Sequence, residues 1–303
     1  RKCTGCYDRV ANGMVPACAK TCPTQAIQYG ERTKLLAKAE AFRARTYKPS
    51  NMTLVVVGQI DPEEVFSLAE RYFGPLSPEN LVSPKNGGEP LQRGEKRVRV
   101  KAPAKEPYLL LGYKATAIGH SEEQWEPYAL EMLASVLDGG SSSRFSRELV
   151  RGKRVAASAG ASYSAFTRLP GMLLIDGIPA KGRSVAELEQ ALLAQIDRLR
   201  EDPVAEDELE RIRTQLIAAK VYEKDSVYAQ AMQLGRLETV GLGWPLVDEY
   251  VEHLSRVTPE QVRSVARKYL TENNLTVATL DPQPIDADAP RTSAEGGSHG
   301  HIR

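Results

Sequence analysis

The chain has 303 residues, 42% of them hydrophobic and 26% charged, and a formal net charge of +1. That balance fits a globular protein with a sizeable core and removes the electrostatic case for a nucleic-acid or anionic-membrane partner. No apolar run reaches the ~20 residues of a membrane-spanning helix. In chain order, residues 1–32 come first and carry all four cysteines, Cys3, Cys6, Cys18 and Cys22, among turn-forming residues. A disulfide framework is normally spread through a small secreted domain, so this clustering points to a metal. The first residue is Arg1, which predicts a chain cut at its N-terminus and leaves bacterial cytoplasm and periplasm both open as compartments.

Residues 33–45, TKLLAKAEAFRAR, predict a connecting helix, with Leu35, Leu36, Ala39 and Phe42 at helical spacing. MTLVVVG (52–58) is an apolar β-branched run suited to a strand buried on both faces. IDPEEVFSLAERYFG (60–74) predicts a helix with Asp61 as cap, Pro62 first in the helix, Glu64 closing the capping box and Gly74 at its end. Strands are expected in LQRGEKRVRVKAP and PYLLLGYKA, and a helix from Ser121 to the stop at Gly139–Gly140. RVAASAGASYSA and GMLLIDGIP predict a strand pair around TRLPG.

Three long helices are then expected in SVAELEQALLAQIDRLRE, AEDELERIRTQLIAAKVYE and SVYAQAMQLGRLETVG. TPEQVRSVARKYL repeats the capping logic with Thr258, Pro259 and Gln261, and LTVATLDP is a last strand. Residues 284–303 are small, polar and turn-forming, and predict a disordered tail. Strands first, then mostly helices, then one strand gives an α+β fold with an antiparallel-rich sheet covered by long helices.

From about 46 to 282 the chain resembles the second, C-terminal module of the insulinase (pitrilysin-like) zinc peptidases. YKPSNMTLVVVGQIDPEEVFSLAERYFG, LDGGSSSRFSRELVRGKRVAASAGASY and VTPEQVRSVARKYLTENNLTVATLDP carry the resemblance by their order and spacing. It implies a module, residues 46–283, that supports a zinc-bearing module or subunit and helps enclose a peptide substrate. The family's zinc sits on H-x-x-E-H, where two His one helical turn apart face the metal and the Glu polarises water. Here the histidines are His120, His253, His299 and His301, and the motif is absent. The resemblance therefore implies a module without zinc and without peptidase activity by itself. The family also carries an Arg with a Tyr seven residues on, which binds substrate. Arg151 lies near that Arg, but Ala157 stands at the Tyr position and Tyr163 is out of register. Arg151 is thus the candidate substrate-binding residue, without its Tyr partner.

CTGCYDRVANGMVPACAKTCPTQAIQYG is similar to a segment of formate dehydrogenase iron–sulfur subunits, with the pattern C-x2-C-x11-C-x3-C-P. This implies an electron-transfer subunit as the alternative function. In paired-cluster ferredoxin chains the fourth Cys of a run serves the other cluster. Four thiolates therefore allow one 4Fe–4S cluster and exclude two in the chain by itself. A tetrahedral S4 zinc site and disulfides stay open as readings of the same residues. The two resemblances meet at Arg43–Thr46, as a natural fusion or an artificial joint. The face that an orphan module leaves uncovered predicts self-association.

Overall fold

The computed structural model describes residues 31–46, 48–78 and 91–285. The four cysteines and nearly all of the predicted tail lie outside the described residues. The chain divides into two compact units. Of the described residues the first holds helix α1 (Arg32–Thr46), the short turn Pro49–Asn51 and residues 70–78. α1 forms where the good helix formers predict it, yet Leu35 is only half-buried and Leu36 and Ala39 are exposed. Propensity makes this helix, not a core-facing stripe.

The second unit holds residues 53–69 and everything from 85 to 284. It begins with an expectation that fails. Residues 52–57 belong to no strand, and Leu54 and Val56 are exposed. The last strand, β5 (Leu275–Gln283), is flanked instead by β1 (Lys96–Pro103), in parallel, and β2 (Tyr108–Ala115), antiparallel. An apolar run announces a wish for burial, not which edge will accept it. Val55 settles instead against the bare backbone of Gly235. Helix α2 (Pro62–Phe73) follows, with Asp61 accepting the Glu63 amide at 3.0 Å.

The sheet is completed by β3 (Ala156–Ser162) and β4 (Gly171–Pro179), in the order β1-β5-β2-β4-β3. All neighbours except β1 and β5 are antiparallel. Alternation assigns the faces: Leu109, Leu111, Leu173, Ile175 and Val277 are buried under the helices.

Helix α3 (Glu126–Asp138) is apolar on nearly every side and sits inside, against β3 on one side and helices on the other. It starts five residues later than Ser121 because Pro127 needs the first turn, where its missing N–H costs nothing. Its N-terminus is tied down by Glu126, which accepts from Lys268 Nζ at 2.6 Å and Tyr269 Oη at 2.9 Å. A π-helical segment, Phe145–Gly152, leads into β3.

Around α3 pack α5 (Glu206–Glu223), α7 (Leu246–Ser255) and α8 (Pro259–Tyr269), with α4 (Val185–Glu201) against α8 and the sheet, and α6 (Val227–Val240) against α7. α7, after GLGWP, has no counterpart in the sequence expectations. The boxes at Ser184–Glu187 and Thr258–Gln261 both close, each cap oxygen accepting the N3 amide at 3.2 Å. Ser184→Ala should therefore cost about 1 kcal/mol in urea unfolding. A change under ~0.2 kcal/mol would mean that water satisfies the amides equally well.

The Gly–Ser stretch between α3 and the π-helical segment supplies no side-chain cap. Ser143 accepts the Arg147 amide with its carbonyl, while its buried hydroxyl has no partner among the described residues. The acidic start of α5 divides between interior and surface. Glu208 turns inward to a bidentate pair with Arg144 (Nη2–Oε2 2.7 Å, Nε–Oε1 3.1 Å), and only Glu210 meets Arg213 at the surface.

Candidate functional site

The helices cover one face of the sheet, and the residues of the opposite face stay partly exposed. Register puts these in rows across the strands. One row runs Val98, Ala278, Leu110, Asp176, Gly160; the next runs Val100, Leu280, Tyr108, and ends at Ser158 on β3. The middle of this face is apolar, with Val98 48% and Met172 43% exposed, and the same register adds Lys96, Thr276, Lys114 and Ser162 to it. Gly112 makes room for Met172, whose Cε lies where a Cβ would stand.

Asp176 interrupts this face. A Cβ on Gly160 would lie 3.0 Å from Asp176 Oδ1 and 3.4 Å from Asp138 Oδ2, so the glycine opens a notch between two carboxylates. Asp138 belongs to the C-terminus of α3, where the helix dipole disfavours negative charge. It accepts the Ala161 amide of the edge strand β3 at 3.3 Å. Burial first, and then the Asp176 charge, push its carboxyl up from the usual range, against the Ala161 bond. Tyr108 bonds to Asp176, and its phenol is pushed up to about 12, chiefly by burial. Among the described residues neither carboxylate has a cation partner. Sequence reasoning missed both. The signal was there: one Asp inside the apolar run GMLLIDGIP and another at a helix end.

Arg151 lies at the exposed end of the π-helical segment. Its Nη2 donates to the Ser141 carbonyl and its Nε to Ser146 O at 3.3 Å. Ala157, at the position of the missing Tyr, is exposed at the irregularity where β3 slips register between Ala156 and Ser158. Arg154 just before it holds φ +50, a left-handed conformation that side chains rarely adopt. Tyr163 Oη donates to Thr116 O at 2.8 Å, and burial raises its phenol. Arg151 and Tyr163 are thus committed to different carbonyls.

No group of three or more metal-ligating side chains occurs among the described residues. His120 Nε2 is 2.8 Å from Arg168 O, and His253 stacks on Tyr128 at 4.8 Å, beside a cavity of about 470 Å³ whose lining includes Glu249. These residues do not fit a zinc ion. No described helix is long and apolar enough to cross a membrane.

Comparison with known proteins agrees with this architecture. Residues 35–216 match the family described as Peptidase M16 inactive domain, and residues 1–32 match a 4Fe-4S dicluster domain. An uncharacterised zinc protease of Mycobacterium leprae is 25% identical over 265 residues, covering 83% of this chain and 55% of that protein. The chain thus spans about half the length of the curated zinc-protease relatives it matches. The crystal structure of a protease from Helicobacter pylori superposes with a TM-score of 0.73 at 23% identity, covering 82% of this chain and 59% of that one. The N-terminal segment is similar to the formate dehydrogenase 2 subunit beta of Nitratidesulfovibrio vulgaris, 56% identical over 39 residues, which is 13% of this chain and 18% of that protein.

Proposed function

The chain belongs to the Peptidase M16 inactive-domain family, and on that premise we propose that it is the non-catalytic, peptide-binding module of an insulinase-type zinc peptidase. Its part is to support a zinc-bearing partner module and to line, with its uncovered sheet face, the space that holds the peptide. The observation that carries this reading is the apolar stretch left open on one face of the sheet, while Leu109, Leu111, Leu173, Ile175 and Val277 of the other face are buried. The absence of H-x-x-E-H supports it, since nothing in the chain can polarise a water in that way. Arg151 is the candidate peptide contact, through a guanidinium held at the surface by two carbonyls.

The purified chain should leave a quenched-fluorescent peptide library intact, with or without added zinc. Hydrolysis abolished by a zinc chelator would overturn the reading.

The identity of the first residues with formate dehydrogenase subunits favours a second reading, an iron–sulfur electron-transfer segment. The matched domain is a dicluster, but Cys3, Cys6, Cys18 and Cys22 are thiolates for one cluster only. When bound, such a cluster supplies one-electron transfer. Anaerobic reconstitution should load about four irons per chain, with an EPR signal on reduction that Cys18→Ser removes. Zinc retention without iron uptake would assign the segment to a structural S4 site instead.

A further inference from the structure

One stretch of the chain occurs twice. Helix α1 ends at Thr46, the 3₁₀ turn Pro49–Asn51 follows, and the apolar run of residues 52–58 comes next. Helix α8 ends at Tyr269, a 3₁₀ turn Glu272–Asn274 follows, and then β5. The same 223 positions separate Thr46 from Tyr269, Pro49 from Glu272 and Asn51 from Asn274. The backbone repeats as well. Lys48 enters the first turn at φ −115 and ψ 147, and Thr271 enters the second at φ −120 and ψ 158. Met52 leaves at φ −90 and ψ 137, and Leu275 at φ −87 and ψ 131, each donating its amide to the first carbonyl of its turn. The two runs, NMTLVVV and NLTVATL, share the order Asn, apolar residue, Thr, apolar residue.

What each turn leads to differs. In β5, Leu275 and Val277 are 3% and 1% exposed, and the strand lies between β1 and β2. Their counterparts Met52 and Leu54 are 67% and 59% exposed. Among the described residues no backbone–backbone hydrogen bond reaches residues 53–57. Helix α2, just after them, buries none of its residues, and Phe66 and Leu68 are exposed. Backbone amides and carbonyls beside uncovered apolar side chains are the unmet needs of a strand. The local conformation thus presents a closing strand to a module whose slot of that kind is already filled by β5.

We infer that residues 52–58 close a second sheet, that of the zinc-bearing partner module, and enter it as β5 enters this one, with a parallel neighbour on one edge and an antiparallel neighbour on the other. The inference rests on the supporting-module reading above and gives that support its docking surface, the strand together with Phe66 and Leu68 of α2. The occupant is an α+β module of the same kind whose own sheet stops one strand short. Main-chain hydrogen bonds supply the affinity, and the alternate side chains Met52, Leu54 and Val56 supply the fit. The match leaves nearly half of the Mycobacterium leprae zinc protease uncovered, room for one such module. A second copy of this chain does not offer the slot, because its own β5 fills it.

The test co-expresses the full chain with a probe, the part of the Mycobacterium leprae zinc protease that the match leaves uncovered. A complex of one copy each should form. In it the amides of residues 53–57 should exchange at least about 100-fold more slowly than in the chain alone. Leu54→Glu with Val56→Glu should cut the yield of complex at least about tenfold, while far-UV circular dichroism of the chain alone stays unchanged, since both side chains are exposed there. Tyr228→Glu with Met232→Glu, which charges equally exposed apolar residues of α6, should leave the complex intact. A complex in which residues 53–57 exchange as fast as in the chain alone, or that survives the first double variant, would overturn the closing strand and leave the supporting-module reading standing. Absence of any complex would overturn both. Protection of residues 53–57 that rises with the concentration of the chain alone would give the strand to a second copy and overturn the inference.

Discussion

Arg144→Ala should destabilise the protein by about 3–5 kcal/mol in urea unfolding at neutral pH. The pair it breaks is nearly dry: the side chains of Arg144 and Glu208 are 8% and 12% exposed. Its two contacts form a fork, Nε to Oε1 and Nη2 to Oε2, joining the turn before the π-helical segment to the start of α5. Removing the arginine strands a carboxylate where water hardly reaches, and this cost exceeds what the pair contributes as a pair. It follows that Arg144→Met with Glu208→Leu should lose far less than either single truncation, within about 1–2 kcal/mol of the parent. Arg144→Lys should fall between, because an ammonium cannot reproduce the fork. The measurement is the midpoint shift at constant m-value. A loss below about 1 kcal/mol for Arg144→Ala would show that Glu208 is hydrated by local opening, and the pair would then be a surface one.

That pair also marks where sequence reading stops. The heptapeptide AEDELER contains Glu208 among three other acidic residues, and nothing in its spacing says which one points inward. The inward choice is made by Arg144, 64 residues earlier in the chain. What could be read was local. Pro62, Ser184 and Thr258 start helices because their groups answer needs of the first turn, and the structure meets those needs within three or four residues. β2, β4 and β5 announced themselves by apolar runs. MTLVVVG announced itself equally and is not in the sheet, whose outer strands are β1 on one side and β3 on the other. Edge competition is a property of the whole sheet. The same limit hid the notch: Asp138 and Asp176 are 38 positions apart and meet only because β3 folds Gly160 between them. A resemblance carried over residue by residue led to Arg151 and could not lead there.

Inside the unit the buried carboxyl of Glu131 provides a second large effect, with a sign that pH reveals. Glu131 projects from α3 and accepts from Tyr250 Oη of α7, a residue only 1% exposed. Tyr250 is held between Tyr128 at 5.5 Å and Phe166 at 4.9 Å, with Lys220 Nζ 5.7 Å from its ring. Burial raises the Glu131 carboxyl above its ordinary range. The Tyr250 bond and Lys220 pull it back, and Glu223 adds to the rise. A carboxyl raised in the folded state favours the protonated form there. Its stabilising contribution is complete below the ordinary glutamate value and is lost as pH climbs through the raised one. Glu131→Gln keeps the shape and the acceptor for Tyr250 but cannot ionise. Its stability relative to the parent should therefore grow from about pH 4.5 upward and level off once the parent carboxyl is fully charged. Tyr250→Phe acts the other way. It deprives that charge of its donor, should cost about 1–3 kcal/mol near neutrality, and should push the carboxyl higher still. In the Glu131→Gln background the same Tyr250→Phe change should cost clearly less, because a neutral amide left without a donor is cheaper to bury than a carboxylate. Chemical denaturation of the four proteins of this cycle across pH 4 to 8 separates the terms. A Glu131→Gln difference that does not change with pH would mean that Glu131 ionises alike in the folded and unfolded chain, and that water has reached the interior between α3 and α7.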